Sequence, residues 1–313
     1  MSRILITGGL GFVGGRLSRR LSVEHEVLVS SRNRTASEML KLNRNIKFVN
    51  HQDLLSATDF PVSVDMVIHL AALNESDSVK YPSEAIRVNV DETRTILENS
   101  IAAHADKFVY FSTAHIYGSP LIGNITESKI PVPVHPYAVT HRAAEDYIVA
   151  AVRRKRIRGL VFRLSNSFGA PVNTKMNRWK LLANDLCRQA VETGKLTLQT
   201  NGCQFRDFVC LTDVEEIIAT LPGKNFRHII YNLGSGKSMR VIDMAERISR
   251  LATEKLGKKI AVELPENAQP SVEPGLHYSI DRLLSDGFRI LNPVDMEIEN
   301  LLQFCKINFA GGN

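Results

Sequence analysis

The chain has 313 residues, of which 44% are hydrophobic and 23% charged, with a formal net charge of +6. That length fits one α/β domain with a smaller appended lobe, and the composition is that of an ordinary globular protein. No apolar run approaches the ~20 residues needed to span a bilayer, so no membrane association is expected. The four cysteines, Cys187, Cys203, Cys210 and Cys305, lack metal-ligand spacing and suit a reducing compartment. The chain enters a strand almost at once, with no leader pattern, and a cytoplasmic location is expected.

Residues 3–7 read as a buried strand, and they run into Gly8-Gly9-Leu10-Gly11-Phe12-Val13-Gly14-Gly15 and a helix over 12–21. Glycines in that place allow a tight turn, close backbone approach to a pyrophosphate, and close packing of the helix on the sheet. The helix start adds unpaired N–H groups and a favourable dipole for phosphate. Strand before and helix after is the context that raises this pattern above an ordinary glycine turn.

Further strands are expected at 26–29, 47–50, 66–70, 108–112 and 160–164, with helices near 83–103 and 137–154. This alternation predicts an α/β fold built on a doubly wound parallel sheet of the Rossmann type. The run Arg153-Arg154-Lys155-Arg156, ending at Arg158, reads as a solvated helix end. It lacks the interleaved aromatics of a nucleic-acid surface, so no nucleic-acid partner is expected.

From Asn166 the alternation weakens. A helix at 179–192, a polar hairpin-like stretch at 194–207, a returning strand at 229–233 and a surface loop at 265–275 suggest a separate lobe. Residues 1–165 are therefore expected to form the dinucleotide-binding domain, with returning segments near 206–218 and 229–234. Residues 166–313 are expected to supply mainly the substrate-binding lobe.

Several ordered motifs now stand together. They are Thr7-Gly-Gly-Leu-Gly-Phe-Val-Gly14, Val67-Ile-His-Leu-Ala-Ala72, Val88-Asn-Val90 and Tyr110-Phe-Ser-Thr-Ala-His-Ile-Tyr-Gly118. Pro136-Tyr-Ala-Val-Thr-His141, Arg163-Leu-Ser-Asn-Ser-Phe-Gly169, Arg206-Asp-Phe-Val209 and Tyr231-Asn-Leu-Gly-Ser-Gly236 follow. Over nearly its whole length the chain resembles the extended short-chain dehydrogenase/reductases, in particular the NAD(P)-dependent epimerase/dehydratase branch that modifies nucleotide sugars. A nicotinamide cofactor, a nucleotide-sugar substrate and a homodimer built on helices 83–103 and 137–154 are what the resemblance implies.

In NAD-binding members an acidic residue ends the second strand and bonds the adenosine ribose. Here Ser30-Ser31-Arg32-Asn33-Arg34 stands there, with no carboxylate. Ser31, Arg32 and Arg34 would accept a 2′-phosphate through charge-assisted bonds, each contributing roughly 1.5–3 kcal/mol. NADP(H) is therefore expected ahead of NAD. By resemblance, Gly8, Gly11, Phe12 and Val13 meet the pyrophosphate and Asp53 and Leu54 face the adenine. Leu70, Ala71 and Ala72 line the pyrophosphate and ribose, with Asn89 nearby.

The resemblance places the proton-transferring tyrosine at Tyr137, its hydroxyl helper at Thr113, and the usual lysine at position 141, where this chain has histidine. Spacing of four puts 137 and 141 on one helix face. His141 can bond the nicotinamide ribose, but with an unperturbed pKa of ~6.5 its charge is conditional, so it is a poor stabiliser of tyrosinate. His115 stands where 4,6-dehydratases carry part of an Asp-Glu pair and where 3,5-epimerases carry an acid/base cysteine. It could shuttle a proton beside a ketone or merely touch substrate. Asn166 and Arg206 match diphosphate contacts, with a pair between Arg206 and Asp207 as the bland alternative, and Lys175 matches a second acid/base of the 3,5-epimerases. No metal is expected. The reading is an NADP-dependent ketosugar reductase. An epimerase with tightly bound NAD is the alternative, and a degenerate cofactor-binding regulator is the rival from another class.

Overall fold

A computed structural model describes residues 1–31, 44–61, 63–175, 178–266, 269 and 271–310. In chain order, β1 (Arg3–Thr7), α1 (Phe12–Leu21), β2 (Glu26–Ser30), β3 (Ile46–Val49) and β4 (Met66–His69) come first. Then follow α2 (Glu75–Lys80), α3 (Pro82–Ile86), a π-helical turn (Arg87–Glu92), α4 (Thr93–Ala102), β5 (Lys107–Thr113), β6 (Gly123–Ile125), α5 (Pro136–Arg153) and β7 (Arg158–Leu164).

These strands and a later one, β11 (Ile230–Leu233), form a seven-stranded parallel sheet in the order β3-β2-β1-β4-β5-β7-β11; β6 stands apart from it. Ile4, Leu5 and Ile6 of β1 are fully buried. Helices cover both faces of such a sheet, so its strands are apolar throughout and need no polar alternation. The strand order reverses between β1 and β4. The loops leaving these two strands diverge there and open a crevice at their carboxyl ends.

The second lobe contains β8 (Asn166–Phe168), α6 (Leu182–Glu192), β9 (Lys195–Thr197), β10 (Phe205–Cys210), β12 (Ser238–Arg240), α8 (Val241–Leu256), β13 (Ala261–Glu263) and α10 (Val294–Phe309). By contrast, α7 (Leu211–Ala219) and α9 (Asp281–Ser285) return to the sheet and bury Val214, Ile217 and Leu283 in its core, and β14 (Leu276–Tyr278) pairs with β6. Its core packs Leu186, Phe208, Met244, Ile248, Leu301 and Leu302. Trp179 lies before α6 and stacks on Phe304, with Phe309 against its edge.

The buried Arg16 of α1 ties this lobe to the sheet. Its Nε donates to Glu215 (2.8 Å) and its Nη1 to Glu297 (3.0 Å). Gly169, at φ +145°, leaves room for that glutamate: a Cβ there would lie 2.1 Å from Glu297 Oε1.

Two sequence expectations are corrected. The stretch 194–207 is not a hairpin: β9 pairs with β13 in parallel, and β10 pairs with β8 and β12. Leu196 and Leu198 are buried in the lobe core, and packing there brings in a partner from far along the chain. The helix expected over 83–103 contains the π turn, around the fully buried Asn89.

The basic run does end a helix. Arg156 pairs with Glu98 and Arg158 with Asp106 on the surface.

Candidate active site

The crevice is a groove of about 460 Å³ running from the glycine turn to Lys175 and Arg178 of the second lobe. Its floor is set by backbone proximity. Gly8 has φ +65°, and a Cβ on it would lie 3.0 Å from the Ala71 amide nitrogen; one on Gly14 would lie 2.2 Å from the Gly8 carbonyl oxygen. Gly8, Gly11, Phe12 and Val13 line the groove at the start of α1, where unpaired N–H groups suit a pyrophosphate. Leu70, Ala71 and Ala72 line its opposite wall. This cradle fits a dinucleotide.

The adenosine end is only partly as expected. Ser31 lines the groove, while Arg32 and Arg34 lie outside the described residues. The Leu54 side chain does not face the groove: it is fully buried with Leu5, Leu28 and Val67. Asp53, half-buried, is not among the lining residues either, whereas His51 is. The short helical turn carrying them packs Leu54 inward, which a motif match alone does not reveal.

Asn89 is also displaced from its expected role. Its Oδ1 accepts from the Leu73 amide (2.7 Å) and its Nδ2 donates to Thr140 Oγ1 (3.0 Å), so the whole amide is committed inside the fold. A directed chain leads to it. Thr7 Oγ1 accepts from the Leu70 and Ala71 amides, so its own proton faces His69 Nδ1 at 2.8 Å. His69 Nε2–H then donates to Thr93 Oγ1 (2.9 Å), which donates to the Asn89 carbonyl (2.9 Å). Thr140, at the far end, donates to the first turn of α5. This chain fixes the groove wall against the helix that carries the reacting groups.

Tyr137 is the second residue of α5, following Pro136 in the first helical position and the cap His135. Burial raises its pKa, with Glu75 adding to the effect, while Arg178 and a hydrogen bond with Thr113 oppose it. Thr113 ends β5 and accepts from the His115 amide at 3.2 Å. His141, one turn after Tyr137, presents its ring at 4.4 Å between centroids, edge to face. Burial, then Arg178 and His115, push the His141 pKa down to about 3. Its imidazole is thus neutral at working pH, and the conditional charge read from sequence is not available. Thr113, Tyr137, His115 and His141 all line the groove.

His115 is half-buried, and burial lowers its pKa while Glu75 opposes the shift. Glu75, His115 and His135 bring one polar atom each within 4.8 Å of one another. The Nδ1 of His135 accepts from the Ala138 amide (3.3 Å), while its Nε2 is buried without a hydrogen-bond partner, 3.7 Å from Glu75 Oε1.

On the substrate side, Asn166 and Lys175 line the groove, and Asn166 Nδ2 donates to the Asp207 carbonyl (3.0 Å). Arg206 is exposed on β10, close enough for its charge to act on His115. It does not pair with Asp207, whose carboxylate accepts from Ser165 and Ser235. Sequence reasoning missed Arg178, Glu75, His135 and Tyr110. Arg178 and Glu75 sit in loop and helix segments outside any motif, and Tyr110 reads as one more apolar strand residue.

The comparisons agree with this geometry. The model of the NAD dependent epimerase/dehydratase family matches residues 4–234. A dTDP-D-glucose 4,6-dehydratase of Homo sapiens is 26% identical over 303 residues, covering 91% of this chain and 80% of that protein. The UDP-N-acetylglucosamine 4-epimerase of Methanobrevibacter ruminantium M1, in complex with UDP-N-acetylmuramic acid, superposes with a TM-score of 0.83 at 20% identity, covering 97% of both chains. RMD from Pseudomonas aeruginosa, complexed with NADPH, superposes with a TM-score of 0.76 at 21% identity, covering 98% of this chain and 99% of that one. Fold, glycine cradle and family match converge: the chain belongs to the NAD dependent epimerase/dehydratase family, enzymes of the extended short-chain dehydrogenase/reductase type.

Proposed function

We propose that the protein is an NADP(H)-dependent reductase of a nucleotide-linked ketosugar. The observation that carries this reading is that Tyr137 and Thr113 line the groove with an imidazole, not an ammonium, one turn on at position 141. Burial raises the Tyr137 pKa, which favours the protonated phenol. A protonated phenol donates to a developing alkoxide, as reduction of a ketone requires. Oxidation would need the tyrosinate, and no permanent cation stands at position 141 to stabilise it.

The bound nicotinamide would supply hydride. Gly8, Gly11, Phe12 and Val13 would hold its pyrophosphate, Leu70, Ala71 and Ala72 its ribose side, and His141 the nicotinamide ribose. Ser31, in place of a carboxylate at the end of β2, supports the 2′-phosphate form. Thr113 would bond the reacting oxygen, with Asn166, Lys175 and Arg206 toward the diphosphate and sugar. Exposed Tyr81, Ile86, Val139 and Tyr147 on α3, α5 and the turn before α3 support a homodimer.

A second reading, an epimerase retaining NAD, is favoured by His115, whose half-buried imidazole shares the groove with Tyr137. Denaturing fresh protein and weighing the released nucleotide separates the two. Empty protein or partial NADP(H) fits the reductase, and near-stoichiometric NAD overturns it.

A further inference from the structure

We propose that Tyr110 is a positioning residue that locks His141 in the tautomer presenting Nε2–H to the nicotinamide ribose. The proposal rests on the reading that Tyr137 and His141 face a bound nicotinamide nucleotide.

Tyr110 lies in the middle of β5, fully buried, and its hydroxyl is 2.7 Å from His141 Nδ1. Two proton arrangements are possible there. If Nδ1–H donated to Tyr110, the phenolic proton would have no acceptor in a buried site and Nε2 would be a bare lone pair. If Tyr110 donates to Nδ1, both groups at that contact are satisfied and the remaining proton sits on Nε2. Each arrangement leaves one donor open, but only in the second does that donor, Nε2–H, lie at the groove wall where a ligand oxygen can accept it, while the enclosed phenolic proton is already bonded. The cost of about 1–3 kcal/mol for an unmade buried donor is then relieved on binding, which favours the second arrangement.

Nε2 is then the one open end of the assembly. It is buried, it has no partner among the described residues, and its ring lines the groove beside Tyr137. A buried polar atom without a partner, at the wall of a ligand groove, marks where a ligand atom belongs. The ligand group it suits is a hydroxyl oxygen able to accept.

The groups that face His141 keep it in this state. Tyr110 approaches from β5, Tyr137 from the preceding turn of α5, His115 from the turn after β5, and Arg178 from the second lobe. His69 stacks on Tyr110 and is itself neutral, and two carboxylates, Glu75 and Glu145, act on Tyr137 and Tyr110. Among the described residues, the charges that act on the imidazole are those of Arg178 and His115, and no carboxylate draws a proton onto it. The position therefore does by tautomer what a lysine does by charge: it offers a donor to the ribose, without acidifying Tyr137.

The test is nitrogen-15 NMR of the histidine rings in the full-length protein, recorded from about pH 5 to pH 9, across the ordinary histidine range. The expected result is a His141 ring with the proton on Nε2 and no titration. A ring protonated on Nδ1, or one that titrates near ~6.5, overturns the proposal. That spectrum needs no variant and no activity.

Binding of NADPH, followed by its fluorescence, adds a second readout. Tyr110→Phe is expected to weaken binding roughly 3- to 10-fold with His141 in place. In the His141→Lys background, where there is no tautomer to lock, it is expected to change binding less than about twofold. Equal losses in both backgrounds make Tyr110 merely structural and contradict the proposal. A locked Nε2–H ring in a protein that does not bind NADPH upholds the tautomer lock and removes the cofactor reading instead.

Discussion

Two buried histidines stand on either side of Tyr110, and they differ in one bond. His69, at the end of β4, is hydrogen-bonded through both ring nitrogens, to Thr7 and to Thr93. His141, on α5, is bonded through one, and its other nitrogen opens on the groove. Burial pushes both pKa values down to about 3. Depth and charge state are therefore the same, and only hydrogen-bond completion separates them. A completed ring is part of the frame; an incomplete one waits for a ligand. The difference teaches that a perturbed pKa marks burial, while an open valence marks the site.

The largest effect that sharpens this contrast is at the reacting group. Tyr137→Phe is expected to lower turnover about 10²- to 10⁴-fold while NADPH binding is kept, which steady-state rates and a fluorescence titration check together. Next come the two histidines themselves. His69→Leu breaks two buried hydrogen bonds and leaves the Thr7 hydroxyl proton without its acceptor, so urea unfolding is expected to show a loss of about 2–4 kcal/mol. His141→Gln removes one bond from the frame and should cost well under half as much, with its main loss in cofactor affinity. The reverse ranking would break the comparison.

Acid stability follows with a definite sign. Both rings stay neutral in the fold to about 3, whereas in the unfolded chain they take up protons below ~6.5. The unfolded state then binds more protons, so stability falls as pH drops through that window and is fully present above it. Thermal melts across the range check this, and His69→Leu, which removes one of the two sites, should flatten the slope. The smallest expected effect is at Arg178. Its charge opposes the rise in the Tyr137 pKa, so Arg178→Ala should move the alkaline limb of the reductive rate profile further up in pH.

Much of this was legible in the residues. Helix 12–21 and strand 3–7 match the structure to the residue, because a fully apolar strand meeting glycines leaves few alternatives. Tyr137, Thr113, His141 and His115 were placed by motif, and the structure brings them to one groove. The π turn at Asn89 was not legible, since it depends on Leu73 and Thr140 reaching the same amide from other segments. The partnership of β9 with β13 escaped for the same reason, being set by packing between residues more than sixty apart. Leu54 failed the other way: it was expected to face the adenine, and its apolar side chain went to the core. Tyr110 gave no signal because a strand residue's hydroxyl declares its role only when its neighbour is known.

The central claim is that Tyr137, kept protonated beside a neutral His141, serves ketosugar reduction with NADPH. The most direct measurement follows deuterium from deuterated NADPH during incubation with nucleotide-linked ketosugars. The account predicts deuterium on a sugar carbon, with one equivalent of NADPH oxidised for each product formed. Sugar inversion with tightly held NAD and no net NADPH oxidation would contradict it.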